Sequence, residues 1–481
     1  MNKLINGLKI VSVRGNVPDK VSGIATDSRK VRRNFLFVAV KGQTVDGHLF
    51  IEKSVELGCS MVVCEILPET IHDDVAYVQV KDSATAAGII ASNYHDNPSQ
   101  KLQLVGVTGT NGKTTTATLL YNLFTSLGYC CGLLSTVKNI VGTTELPTDH
   151  TTPDPITINM LLSQMVRSGC AYCFMEVSSH AADQQRIAGL TFAGGIFSNI
   201  THDHLDYHKT FVNYIAAKKK FFNQLPTNAF ALTNADDKNG MVMVENTQAK
   251  VYTYGIKEAA DFHCNILEMS MLGSLVTINN EAEFMMPLPG VFNVYNQLSV
   301  YAAALLLKGD KDEVKRVLSG IKGAEGRFQI VPNKANLSVI IDYAHTPDAL
   351  ANLLKTARDL VCGNGKIICV FGAGGDRDRS KRPEMGNVAT KYADLCIVTS
   401  DNPRSESPEA IINDIVSGIT PQDMKKVVTM VDRKEAVKLA VKVMHDDDVL
   451  LIAGKGHEKY QEINGVKYHF DDNELVNQLL N

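Results

Sequence analysis

The chain has 481 residues and a formal net charge of −4, a length beyond one ordinary domain that sets three as the expected count. Its composition is that of a soluble globular protein, and so small a net charge gives no electrostatic reason to expect nucleic acid or a membrane surface as partner. The opening "MNKLINGLKI" lacks the apolar core of a secretory signal and no apolar run is long enough to span a bilayer, so the ten cysteines are expected to remain thiols in a reducing cytoplasm.

In chain order, residues 1–98 read as short apolar runs such as "FLFVAV" and "MVVC", broken by Gly, Asp and Pro. They predict a small α/β domain ending near "HDNPSQK". From residue 99 the pattern changes: "LQLVGV" predicts a buried strand, "GVTGTNGKTTT" a glycine-rich loop, and "TTTATLLYNLFTSLG" a helix ended by Gly128. Further strands at "YCFMEV", "GGIFSNI" and "AFALTNAD" continue the strand–loop–helix alternation, which implies a mostly parallel sheet covered by helices. The stretch from Phe262 to Met286 alternates as antiparallel strands do, and "NVYNQLSVYAAALLL" returns to helix. At "GAEGRFQIVPN" the composition turns loop-like, which puts a boundary after residue 326. From there "LSVIIDYA", "KIICVFGAGG", "DLCIVTS", "KVVTMVD" and "DVLLIAGKG" alternate with helices as a third, Rossmann-like unit over 327–481. The expected fold class is therefore α/β in three domains: 1–98, a central 99–326 and 327–481. Cys170 and Cys173 lie in the apolar "CAYCFMEV" with no second CxxC or histidine pair, and read as part of a buried strand rather than a zinc or redox site.

The glycine loop departs from the usual G-x-x-x-x-G-K-[ST] spelling, with Val107 where the first glycine is expected. Its place between a buried strand and a helix still suits phosphate, because backbone N–H groups and the helix dipole meet there. Gly109 and Gly112 permit close approach, Lys113 reaches terminal phosphates, and the Thr114 hydroxyl is a Mg²⁺ ligand type. Glu176 ends an apolar strand, where a carboxylate can face that loop and hold Mg²⁺. Ser178-Ser179-His180 lacks a G-x-S-x-G elbow, which argues against a nucleophilic serine. "SNITHDHLDYH" has ligand-type residues but no zinc spacing, and reads as a polar loop with one functional histidine. Lys218, Lys219 and Lys220 read as a solvated helix face; a free ammonium would repel Mg²⁺, so a lysine serves there only with its charge removed or inverted, as in a carbamate. "GAGGDRDRSKRP" fails as a dinucleotide fingerprint because Arg377 takes the third glycine's place, and its cations suit carboxylate or phosphate instead. Asp401, Asn402, Arg404 and Glu458, all after strands, form a polar mix that suits a zwitterion.

Taken together, "GTNGKTT", "EVSSHA", "DHLDYH", "AAK", "LPGVFNVYN", "GRFQ" and "DYAHTP" occur in the order found in the Mur ligases of peptidoglycan synthesis, which the chain resembles over nearly its whole length. With "DSRKVRRNFLFVAVKGQTVDGHLF" near the start, it is most similar to the ligases that add the third amino acid of the stem peptide. The resemblance implies a UDP-sugar-binding domain, a central P-loop ATPase domain and a mobile C-terminal amino-acid-binding domain, working as a cytoplasmic monomer. It implies ATP and Mg²⁺, with UDP-N-acetylmuramoyl-L-alanyl-D-glutamate and an amino acid as substrates: ATP phosphorylates the D-glutamate carboxylate, and the incoming amine displaces phosphate.

By motif, the resemblance gives ATP contacts to Gly109, Thr110, Asn111, Gly112, Lys113, Thr114, Thr115, Asn293, Arg327 and Asp342. It makes Thr114, Glu176 and His204 metal ligands, and Lys218 a carbamate (N6-carboxylysine) serving a metal; Lys113, Glu176, His204 and Lys218 are the implied catalytic set. Thr26 and Ser28 match contacts to the UDP part of the substrate, and Thr151, Thr152, Ser178, Gln184 and Arg186 contacts to its muramoyl-peptide part. Gln43 stands where some relatives carry a histidine. Arg377, Asp401, Asn402, Pro403, Arg404, Gly454 and Glu458 match contacts to the added amino acid. The intact Asp401-Asn402-Pro403-Arg404 favours meso-diaminopimelate, because L-lysine lacks the second carboxylate and leaves Arg404 unpaired. The competing readings are the same ligation with L-lysine, a folylpolyglutamate synthetase-like ligase, and a P-loop protein that binds nucleotide without chemistry.

Overall fold

The computed structural model describes residues 3–42, 45–148, 150–335, 337–361 and 363–481. Three α/β sheets follow one another along the chain. The first has five strands, in the order Ile10–Arg14, Ala76–Val80, Met61–Cys64, Phe35–Val38, Gly23–Ala25, antiparallel only at its first pair. The second has eleven. From Phe262–Ser270 through Lys250–Gly255, Phe230–Asn234, Gly194–Phe197, Gln103–Thr108 and Tyr172–Glu176 to Cys131–Leu134 it is parallel, with antiparallel strands added at both ends. The third has six strands, in the order Gln329–Ile330, Ser338–Asp342, Val449–Ala453, Ile367–Phe371, Leu395–Thr399, Val427–Met430, parallel except at the first pair. The expected α/β class and the antiparallel run over Phe262–Met286 are both present; the hairpin Tyr460–Ile463/Val466–His469, which turns at Asn464-Gly465 with positive φ at both residues, is not among the expected elements although Asn-Gly is a hairpin signal.

Successive strand side chains point to opposite faces, so each sheet separates two cores. In the second sheet Val105 and Val107 pack with Leu120 and Leu298 on one face, beneath the helices Lys113–Ser126 and Val291–Leu306. Leu104 packs with Leu162 and Phe222 on the other, beneath Pro155–Arg167 and Phe211–Asn223. The third sheet divides likewise, with Ile340 and Cys369 on one side and Val339, Ile341 and Val370 on the other. Both faces being covered, parallel strands read as continuous apolar runs, and their carboxyl ends are left to carry polar loops.

One ion pair is fully enclosed in the third unit. Arg433 Nε and Nη2 donate to the Asp472 carboxylate at 3.0 and 2.8 Å, and both side chains are 0 % exposed. Nη2 also donates to Ala453 O at 3.0 Å, so the pair anchors the end of the strand Val449–Ala453. Removing one partner strands the other charge away from water. Asp472→Ala is therefore expected to destabilise the C-terminal unit by about 3–5 kcal/mol, read as an earlier urea transition by circular dichroism.

Candidate active site

The strand Gln103–Thr108 delivers the chain into the glycine loop, and Gly112, with φ of +88°, caps the helix that follows. A Cβ there would lie 2.4 Å from Asn296 Oδ1, so both the left-handed backbone and the close approach require glycine. The helix's first internal bond runs from Thr116 N to Gly112 O. The amides of Lys113, Thr114 and Thr115 are thus left without intrahelical acceptors, at the electropositive end of a helix dipole. The loop is braced from the neighbouring strand end: Thr110 N donates to Asn199 O, Asn111 N to Asn199 Oδ1, and Ser198 Oγ to Asn111 O. Sequence reasoning assigned no role to Ser198 or Asn199, although both sit in the polar loop it singled out.

Two lysines close on this loop. Lys113 Nζ donates to Gly109 O and Thr110 O at 2.9 and 2.8 Å, and Lys218 Nζ donates to the same Gly109 O at 2.6 Å. Lys218 is 1 % exposed, lies over the Tyr214 ring, and is driven well below the usual lysine range by burial and by the Lys113 charge. Desolvation also lowers Lys113, partly offset by Glu176 and Asp203. The solvated face expected for the neighbouring lysines holds for Lys220, which is exposed beside Asp183. It fails for Lys219, whose side chain is only 16 % exposed and pairs with Glu245.

Glu176 is buried at its strand end; Oε1 accepts from Thr136 N at 2.7 Å, and among the described residues Oε2 has no partner. His204 is held below the usual histidine range, at about 4, by desolvation and by the His180, Lys113 and Lys218 charges, against the pull of Asp203. Its imidazole is therefore neutral and able to ligate a metal. Among the described residues no three His, Cys, Asp or Glu side chains form a cage, so Glu176 and His204 need other donor types beside them. A buried carboxylate oxygen without a partner and a neutral imidazole nevertheless fit a hard divalent cation.

Beside Glu176 the predicted muramoyl-peptide contacts form one hydrogen-bonded chain. Thr151 Oγ1 accepts from Thr136 Oγ1; Thr152 Oγ1 donates to Glu176 O and accepts from Ser178 N; Arg186 donates to Thr152 O and to Gln184 Oε1. Ser178 also caps the next helix by accepting from Ala181 N. Thr26 and Ser28 follow the edge strand Gly23–Ala25 of the first sheet, and among the described residues no hydrogen bond joins them to this chain. Gln43 lies outside the described residues.

The third unit supplies the rest. Arg327 Nη2 donates to Thr114 Oγ1 at 3.3 Å, and its guanidinium lies 4.3 Å from the Tyr343 ring centre. Asp342 spends its carboxylate on Phe328 N and Ala344 N, thereby shaping the turn that carries Arg327. Asn293 donates to Pro289 O and accepts from Asn296, the residue that abuts Gly112. At the next strand ends Gly454, with φ of +111°, donates to Asp342 O, and a Cβ there would meet Asp401 Oδ2 at 2.4 Å. The nucleotide-side strand and the predicted amino-acid rim are thus in direct contact. Asn402 Nδ2 donates to Glu458 Oε2 at 2.7 Å, and buried Lys455 Nζ, which the sequence analysis left unassigned, donates to both Asn402 Oδ1 and Glu458 Oε2. Arg404 Nη1 donates to Gly375 O at 2.7 Å, and Arg377 and Arg404 flank Gly374. Pro403 packs its carbonyl against Gly375, so the loop after one strand fixes the loop after the next.

Three family models match successive parts of the chain. The Mur ligase family catalytic domain matches residues 20–98, the Mur ligase middle domain 107–304, and the Mur ligase glutamate ligase domain 326–456. The UDP-N-acetylmuramoyl-L-alanyl-D-glutamate–2,6-diaminopimelate ligase of Phocaeicola vulgatus is 51 % identical over 100 % of this chain and 99 % of its own. That of Cytophaga hutchinsonii is 53 % identical over 99 % of this chain and 98 % of its own. A solved structure of a ligase of that name is 32 % identical, with a TM-score of 0.70 over 99 % of this chain and 97 % of its own. Mycobacterium tuberculosis folylpolyglutamate synthase shares the fold at 16 % identity and TM-score 0.63, over 78 % of this chain and 92 % of its own. The chain belongs to the Mur ligase family.

Proposed function

We propose that the chain joins an amine of meso-2,6-diaminopimelate to the D-glutamate carboxylate of UDP-N-acetylmuramoyl-L-alanyl-D-glutamate, using ATP, in the cytoplasm. The observation that carries the amino-acid choice is the rim of the third unit, where the Arg404 guanidinium and the Glu458 carboxylate stand on neighbouring loops joined through Asn402 and Lys455. Each has an oppositely charged neighbour, Glu462 at 3.5 Å from Arg404 and Lys455 at 3.3 Å from Glu458, and the alternating charges match a substrate with both carboxylate and ammonium groups. On this reading 1–98 takes the UDP-sugar, 99–326 takes ATP and 327–481 takes the amino acid.

A carboxylate does not react with an amine until it has a leaving group. The free amides at the head of the phosphate-loop helix, with Lys113, hold the phosphates of ATP and draw charge from the transferring phosphoryl group. Thr114, Glu176, His204 and carbamylated Lys218 would hold Mg²⁺, which when bound offsets phosphate charge. The Thr151–Arg186 chain orients the acceptor carboxylate next to Glu176. Lys218 is suited to a change of charge: burial and the Lys113 charge lower its hold on a proton, and in its neutral form the amine adds CO₂ to give a carbamate with release of a proton.

Three side chains of the third unit reach the loop and the polar stretch beside it. Besides Arg327 on Thr114, Asp348 Oδ2 accepts from Asn111 Nδ2 and from Thr201 Oγ1, both at 3.1 Å, and Lys381 Nζ donates to Asp203 Oδ1 at 2.7 Å. Burial raises Asp203, but the cationic groups around it, with Lys381 Nζ in direct contact, overcome it and hold the carboxyl well below its usual range. On this reading these contacts bring the third unit, with the attacking amine, toward the acyl phosphate.

A phosphate-release assay with the UDP-muramoyl dipeptide should show turnover with meso-diaminopimelate and little with L-lysine; equal rates would overturn the assignment of Arg404. Arg404→Ala should lower kcat/KM for diaminopimelate about 100-fold or more while leaving the KM for ATP unchanged. Stripping CO₂ from the buffer should reduce activity by about 10- to 100-fold, restored by bicarbonate, and Lys218→Ala should abolish that response. Asp348→Ala combined with Lys381→Met should cost about 100-fold in kcat through lost positioning, with a larger radius of gyration by small-angle scattering.

A further inference from the structure

Cys170 does not pair with Cys173, the partner its spacing offers. Cys173 points into the core and is fully buried, whereas Cys170 Sγ lies 3.3 Å from Cys130 Sγ, forty residues earlier in the chain. Cys130 is exposed and Cys170 is 4 % exposed. The two residues precede neighbouring parallel strands, Cys131–Leu134 and Tyr172–Glu176, and Ala171 N already donates to Cys130 O at 2.9 Å. The backbones are therefore locked side by side at the point where the sulfurs meet, and a bond between them needs only side-chain rotation rather than movement of the sheet. Among the described residues Cys369 and Cys396 also lie side by side on neighbouring strands, but both are fully buried and out of a soluble reagent's reach. Cys131 Sγ turns to Tyr129 O, and burial pushes the Cys131 and Cys170 thiols up to about 12, which leaves exposed Cys130 as the sulfur that a soluble reagent meets first.

We propose that Cys130 and Cys170 are a thiol–disulfide exchange site that takes small-molecule disulfides of the glutathione class. The Cys130 sulfur, having given up its proton, attacks one sulfur of the small disulfide, and the released thiolate takes up that proton. The Cys170 thiol then loses its proton to solvent, and its sulfur attacks Cys130 Sγ and expels the second thiolate, which is protonated in turn. Two electrons pass from the protein to the reagent, one disulfide breaks and one forms. The resulting crosslink staples the entry ends of the two strands whose exit ends hold Thr136 and Glu176, at the rim of the sheet opposite the phosphate loop.

The test is equilibration of the full-length protein in mixtures of oxidised and reduced glutathione, followed by acid quench, alkylation and peptide mass mapping. The expected product is one peptide pair joined through Cys130 and Cys170, with both thiols lost to alkylation and no glutathione retained. Cys170→Ser, which removes the second sulfur but keeps its shape, should instead trap one glutathione on Cys130. The proposal is overturned if the wild-type chain keeps glutathione on Cys130 with Cys170 still alkylatable, if Cys130 joins another cysteine, or if both thiols survive an excess of oxidised glutathione.

Discussion

Lys113 and Lys218 both donate to the carbonyl oxygen of Gly109, at 2.9 and 2.6 Å, and Arg327 reaches the next turn at Thr114. Three basic side chains and the positive end of a helix thus meet at one loop, while the acids that face them are Glu176 and Asp203. Like charges at such spacing are unfavourable in a desolvated site. The crowding has two resolutions, and both are chemical. Polyanionic phosphate would supply the missing negative charge, as the proposed ATP site requires. A neutral Lys218 would remove one cation and leave its amine open to CO₂. On the proposed function, nucleotide binding and metal assembly would share one electrostatic problem.

The same constraint explains why the third unit touches the loop where it does. Asp348 brings a carboxylate to Asn111 and Thr201, and Lys381 brings a cation to Asp203, so charges on the approaching unit complement those around the loop. Behind that surface Gly454 ties the Asp342 strand to the Asp401 loop, and the Arg433–Asp472 pair fixes the residue just before Gly454. The proposed amino-acid rim is therefore mounted on enclosed, hydrogen-bonded elements. A rigid mount matters because the attacking amine must meet an acyl phosphate at bonding distance, and small displacements are costly.

Much of this was legible beforehand, because parallel sheets covered on both faces write themselves as apolar runs and leave their polar loops at strand ends. The phosphate loop, Glu176, the chain around Thr152 and the Asp401–Arg404 loop could each be found that way or through the family likeness. Asp348, Lys381 and the Cys130–Cys170 contact could not. Asn111 and Asp348 are 237 residues apart, and Cys130 and Cys170 are 40. Nothing in either local stretch marks the partner. Lys455 is an intermediate case. It stood in a quoted motif, but a lone lysine in a polar loop looks solvated until the burial of its neighbours is known.

Lys218 shows where a local reading stops short of what the sequence contains. Three consecutive lysines suggest an exposed face, yet the helix Phe211–Asn223 buries Tyr214, Ala217, Phe221 and Phe222. That set repeats at three and four residues, and Lys218 falls on it, four after Tyr214 and three before Phe221. The helical period thus singles out the middle position of the apolar stripe as a lysine that must be buried. A buried ammonium needs a carboxylate partner or a changed charge. Among the described residues Lys218 has no ion-paired carboxylate; it has the neutral Gly109 carbonyl and the face of the Tyr214 ring. The run of lysines hides one residue whose position forbids it from remaining an ordinary cation, and that exception lies against the loop where the phosphates are to be held.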